Sequence, residues 1–183
     1  MNYLVRTSLM TALVGSLVIG PLTGTASAHG IIDLDGVSAV AGQSSSMTLE
    51  VQHGCSTNDG TVEVQAFVGK PWRMVKPKPV DGWSSRVSRQ EGGGWQITWT
   101  NRGAPIPFST PIFFPVTVAW PNKPGTYGMS VLQLCPNGSY YWNDQYTPAD
   151  GTKTSPPLTP RPEVLVVGKS KTSEQSARSP RQR

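Results

Sequence analysis

The chain has 183 residues, of which 15% are charged and two are cysteine, and it carries a formal net charge of +5. That balance invites a nucleic-acid reading until the charge is located. Ten Lys and Arg stand against ten Asp and Glu between His29 and Gly168, whereas Lys169, Lys171, Arg178, Arg181 and Arg183 face Glu174 alone. A neutral body whose basic residues do not cluster with aromatics argues against a nucleic-acid surface. The stretch Lys169–Arg183 reads as a disordered, solvated basic tail, with weak contact to anionic cell-wall polymers or lipid head groups as the functional alternative.

Met1–Arg6 holds one positive side chain, Thr7–Leu22 is almost wholly apolar or small, and Ala26-Ser27-Ala28 closes the segment. A basic start, a short apolar run and an Ala-x-Ala end are the parts of a secretory signal. The run is broken by Gly15, Gly20 and Pro21 and falls short of the roughly 20 residues a membrane-spanning helix needs. Cleavage after Ala28 is therefore expected, with residues 1–28 a signal peptide, the mature protein secreted, and no transmembrane anchor. About 140 residues (29–168) are left to fold, a usual size for one domain with one core.

Cys55 and Cys135 both lie in the exported part, 80 residues apart. In an oxidising compartment an isolated pair is most simply a disulfide. Closing so long a loop contributes on the order of 4 kcal/mol by chain entropy. Cys55 should then end one early strand and Cys135 one late strand.

No stretch of residues 29–168 sustains helical periodicity, whereas alternation recurs in Met47–Val51, Val62–Val68 and Trp95–Trp99, as in strands with one buried face. Further strands are expected over Phe113–Trp120, Tyr127–Leu134, Ser139–Asp144 and Glu163–Val167. Asn58-Asp59-Gly60, Gly92-Gly93-Gly94, Lys123-Pro124-Gly125 and Pro136-Asn137-Gly138 separate them as turns. Pro148–Pro162 reads as an extended surface connection. Short strands at this spacing predict an all-β protein, a single-domain β-sandwich with one disulfide.

Two histidines are present, His29 and His53. Once cleavage makes His29 the first residue, its α-amine and imidazole Nδ1 can chelate one ion in a six-membered ring. Paired nitrogen donors suit Cu(II), which favours tetragonal geometry and tops the divalent affinity series. The α-amine, with a reference pKa of about 7.7 to 8.0, can lose its proton to the metal near neutral pH. The plain alternative is that His29 is merely where cleavage falls. His53, between a strand and Cys55, reads more simply as a partly buried histidine bonded to backbone than as a second ligand. Trp142 reads on its own as a core or surface aromatic, like Trp72, Trp83, Trp95, Trp99 and Trp120.

His-Glu-x-x-His, Gly-x-Ser-x-Gly and P-loop patterns are missing, and acidic residues are scattered singly, so no hydrolase or nucleotide site is indicated. The expectation is a protein that is not an enzyme.

Several segments together resemble the YcnI-like family of exported copper-binding domains, also described only as a domain of unknown function. They are Ala26-Ser27-Ala28 followed by His29, Val51-Gln52-His53-Gly54-Cys55, and Val75–Trp83. Gln96–Trp99, Val131–Gly138 and Tyr141-Trp142 complete the set, in order and spacing, across the mature domain. The resemblance implies a β-sandwich whose N-terminal histidine, here His29, binds Cu(II) through amine and Nδ1, with a tryptophan, here Trp142, close to the metal. It also implies a glutamate ligand, but the corresponding strand Phe108–Pro115 contains no carboxylate. Asp33, Asp35 and Asp144 are the candidate replacements.

The function expected is an extracytoplasmic Cu(II) chaperone or store in copper homeostasis, partnered by the copper ion and an envelope copper transporter or chaperone. Two alternatives remain. One is a metal-free envelope interaction module. The other is a copper-dependent polysaccharide monooxygenase, which would share the mature N-terminal histidine but use a second histidine far downstream.

Overall fold

The computed structural model describes residues 30–145 and 159–169. The signal segment 1–28, His29, most of the Pro148–Pro162 connection and the tail beyond Lys169 lie outside the described residues. Ten strands form: β1 (Gly30–Asp33), β2 (Ser44–Val51), β3 (Glu63–Val68), β4 (Met74–Pro77), β5 (Trp83–Arg89), β6 (Trp95–Asn101), β7 (Ile112–Ala119), β8 (Gly125–Cys135), β9 (Gly138–Trp142) and β10 (Glu163–Val166). They make an antiparallel sandwich. One sheet runs β1-β2-β7-β4, and the other β10-β8-β3-β6-β5, with β9 also on β8.

Alternation places the core. Met47, Leu49 and Val51 of β2 and Phe114, Val116 and Val118 of β7 point inward from the first sheet; Val64, Ala66, Ile97, Trp99, Met129 and Val131 answer from the second. The Phe114 ring stacks on Trp99 across the interior, with centroids 4.5 Å apart, and meets Trp83 edge-on at 5.0 Å. One side chain of β7 is thus gripped by two strands of the opposite sheet. Of the six tryptophans, Trp72, Trp83, Trp99, Trp120 and Trp142 are buried.

Seven strands fall where alternation puts them. The exceptions are β1, β4 and β5. β1 and β4 are too short to show a period, and β5 is an edge strand whose residues after Trp83 are mostly exposed. Polar and charged side chains on such an edge discourage pairing with another chain, and Arg89 Cζ lies over the Trp95 ring, 3.5 Å from its centroid. The β5–β6 turn needs its glycines. Gly92, Gly93 and Gly94 all have positive φ, and a Cβ on Gly94 would strike the Val68 carbonyl.

Cys55 and Cys135 are bonded, with Cα atoms 6.1 Å apart. Cys135 ends β8 as expected. Cys55 does not end a strand: β2 stops at Val51, and Cys55 stands in the loop that carries the chain from the first sheet to the second. Gly54 and Gly60 of this loop press so closely on backbone that a Cβ on either would collide, which ends the extended pairing early.

Replacing Phe114 by Ala should destabilise the oxidised protein by about 3–5 kcal/mol, the usual cost of emptying a large aromatic site. Urea unfolding monitored by tryptophan fluorescence will show the loss; an unchanged midpoint would mean the stack does not hold the sheets together.

Candidate metal centre

The loop between β2 and β3 brings the chemistry-bearing residues to one end of the sandwich, and its own bonds explain why. Thr61 and Ile106 exchange backbone hydrogen bonds at 2.8 and 2.9 Å, and Gly54 N donates to Phe108 O at 2.9 Å. Asp59 is buried and accepts the Asn137 backbone N–H through both carboxylate oxygens, at 3.3 and 3.2 Å. Gln133, fully buried at a core-facing position of β8, donates from Nε2 to His53 O and to Thr61 Oγ1 at 2.5 and 2.7 Å. With the disulfide, these contacts fasten the loop to the β8–β9 hairpin and to the segment before β7.

His53 stands inside this clamp. Its ring lies 4.9 Å from Phe108, 5.8 Å from Tyr140 and 5.7 Å from Trp142, centroid to centroid. Its Nδ1 is 2.5 Å from Gly54 O. A carbonyl only accepts, so Nδ1 is the donor, and in the neutral ring the lone pair is left on Nε2.

Trp142 ends β9 opposite Val131 and is completely buried. Its Nε1 has no hydrogen-bond partner among the described residues, but an indole N–H donates and does not ligate. Trp142 can therefore border a metal as an aromatic wall, not bind it. The start of β1 lies near the same ring. A Cβ placed on buried Gly30 would stand 3.9 Å from Trp142 Cδ2 and 3.0 Å from Pro162 Cγ, so the chain enters the sheet against the indole and with little room to spare. His29, one peptide bond before Gly30, lies outside the described residues.

The candidate carboxylates do not gather here. Asp33 is at the far end of β1, about 10 Å from Gly30 at roughly 3.3 Å per residue. Its Oδ1 accepts Asp35 N at 2.9 Å, closing a turn in which Asp35 adopts φ 51°. Asp144 lies beyond the end of β9 rather than on its face; its Oδ2 accepts the Thr159 hydroxyl at 2.5 Å. Among the described residues, Cys55, Asp59 and Cys135 lie close enough to suggest a metal cluster. Both sulfurs are in the disulfide, so no thiolate is available.

Sequence reasoning reached Trp142 through resemblance and read His53 as a partly buried histidine bonded to backbone, as it is, but did not bring the two together. The missed signal is topological: β8 pairs with both β3 and β9, which carries Trp142 to the loop holding His53. An unrelated groove of about 660 Å³ opens on the other side of the second sheet, lined by uncharged residues that include Phe67, Gln90, Ser130, Leu132 and Tyr141.

A sandwich of this layout is an immunoglobulin-like fold. The chain is similar to a crystal structure of an uncharacterized protein from Nocardia farcinica described as revealing such a fold, with TM-score 0.63 and 24% identity over 76% of this chain and 99% of that one. The chain belongs to the family described as Domain of unknown function (DUF1775), the YcnI-like family, whose model matches residues 32–165. That span contains His53, Trp142 and both cysteines. No curated protein matches the chain. Among the described residues, no helix is long and apolar enough to cross a membrane.

The hydrogen bond from Nδ1 to Gly54 O predicts the Nδ1–H tautomer for neutral His53. Long-range ¹H–¹⁵N correlation spectra of the deprotonated ring will show Nε2 as the pyridine-like nitrogen; the reverse assignment would contradict this geometry.

Proposed function

We propose that this protein is an extracytoplasmic, non-catalytic Cu(II)-binding protein, a chaperone or store in copper homeostasis, that takes its metal at the amino terminus created by cleavage after Ala28. The observation that supports it most is the seat of Gly30 against the Trp142 indole. Gly30, covalently attached to His29, lies near the tryptophan that family resemblance sets beside the metal. A metal bound by the His29 amine and Nδ1 would then lie beside an aromatic wall at one end of a rigid sandwich. Copper is cargo in this reading, and an envelope transporter or a second chaperone would receive or supply it.

The chemistry of the neighbourhood fits a borderline nitrogen-seeking ion better than a hard one. Three aromatic rings surround the His53 imidazole at this end of the sandwich, while Asp33, Asp59 and Asp144 are committed to other partners. Hard cations such as Ca²⁺ and Mg²⁺ need an oxygen cage instead.

A metal-free envelope interaction module is the second reading, favoured by the uncharged groove over Phe67, Leu132 and Tyr141. It becomes the better account if calorimetric titration of the mature protein finds no copper binding tighter than millimolar.

Cu(II) added to protein beginning at His29 should give an axial electron paramagnetic resonance spectrum with nitrogen hyperfine structure. Retaining Ala28 as the first residue buries the amine in a peptide bond and should weaken binding by roughly 100-fold or more, about 2.8 kcal/mol. Equal affinity and an identical spectrum for the two forms would remove His29 as the anchor.

A further inference from the structure

We propose that the flank of the sandwich formed by β4 and β5 binds a linear phosphate polymer of the cell envelope and turns the opposite flank, where β1 begins, away from it. The inference shares with the reading above only the extracytoplasmic setting and does not depend on copper.

The neutral total of residues 29–168 conceals a polarised domain. Lys70, Arg73, Lys76 and Lys78 lie on β4 or the connections at its two ends, Arg86 and Arg89 on β5, and Arg102 just after β6. Only Asp81 and Glu91 oppose them between residues 70 and 102. Among the other described residues up to Gly168 the balance reverses. Asp33 and Asp35 lie at the end of β1, Asp144 follows β9 and Glu163 lies on β10, with Glu50, Asp59 and Glu63 between them, against Lys123 and Arg161 alone.

Topology turns this split in sequence into a split in space. β4 and β5 are edge strands of different sheets that pack against each other, while β1 and β10, also edge strands of different sheets, meet at the opposite flank. Lys76 projects from the outer side of the first sheet, because Val75 before it is in the core, and Arg86 from the outer side of the second, because Val87 after it packs on the core. A polymer crossing this flank meets cations from both sheets. All seven cations are exposed, and the one ion pair among the described residues joins Arg161 to Glu163 on the far flank. The partners they do have are neutral: Arg73 Nη1 donates to Gly42 O at 3.0 Å, Lys78 Nζ donates to Ser46 Oγ at 2.8 Å, and Arg89 covers the Trp95 ring. Their positive field is left for a ligand of opposite charge.

The chemistry of the flank narrows the partner. The exposed large apolar side chains Ile31, Val37, Phe113, Tyr141, Leu165 and Val167 all lie away from β4 and β5, so the flank offers nothing to insert into a bilayer. Trp95 is capped by Arg89 and donates its N–H to Trp72 O at 3.0 Å, which leaves its face closed to a stacking nucleobase. A chain of phosphates without bases or acyl groups fits what remains. Lys meets phosphate as a point charge and Arg meets it as a fork, and the flank carries both.

Long-chain polyphosphate is the probe, titrated calorimetrically into the full exported chain at several salt concentrations. Binding should weaken steeply with salt, as counterion release requires. The triple variant Lys76→Gln, Lys78→Gln and Arg86→Gln alters only exposed side chains; it should lose about tenfold or more in affinity and flatten the slope of log affinity against log salt by about two. A second variant, with Lys169→Gln, Lys171→Gln, Arg178→Gln, Arg181→Gln and Arg183→Gln, should still bind and still respond to the triple substitution. Undiminished binding by the triple variant, with loss in the second, would overturn the proposal in favour of the tail. Tighter binding to phosphatidylglycerol vesicles than to polyphosphate at equal phosphate concentration would overturn it in favour of a membrane, and no binding to polyphosphate would end it. Amide shift changes on adding polyphosphate need no variant to fold: they should gather on β4 and β5, and changes confined to residues beyond 168 would contradict the proposal.

Discussion

The crossing of the chain from one sheet to the other at residues 52–61 is the constraint on which the rest depends. Two sheets of alternating strands could close over this core with many relative offsets. Here the offset is fixed at one end by a covalent bond from Cys55 to Cys135, by Asp59 capping the β8–β9 turn, and by Gln133 reaching across to His53 O and Thr61. The long loop closed by the disulfide makes its entropic effect on the unfolded chain large, about 4 kcal/mol. Buried amide and carboxylate bonds add direction, since a buried polar group left unpaired costs about 1–3 kcal/mol.

The same clamp gathers residues of the proposed site at one end of the sandwich. His53 belongs to the crossing loop, Trp142 to the hairpin the loop is tied to, and Gly30 to the strand that begins at the same end. The disulfide, formed in the structure, accords with a protein that works where thiols are oxidised.

Much of the architecture was legible because inward and outward residues alternate in β2, β3 and β8, and because glycines and prolines mark the turns. β5 was not, since an edge strand with Ser84, Ser85, Arg86 and Ser88 outside has no apolar period to read. Cys55 was placed at a strand end because sequence does not reveal where pairing stops; close backbone packing around Gly54 and Gly60 stops it four residues earlier. The site was legible only in pieces. Of the proposed site, His29 follows from the expected cleavage and Trp142 from resemblance. That Asp144 turns to Thr159, and that His53 faces Trp142, depend on strand order, which no local pattern contains.

The most direct test of the account is the intact mass of the exported protein, measured under native conditions with and without Cu(II). The account predicts a chain of residues 29–183 with one disulfide that gains a single copper ion. A chain starting at any other residue, or one starting at His29 that gains no copper, would contradict it.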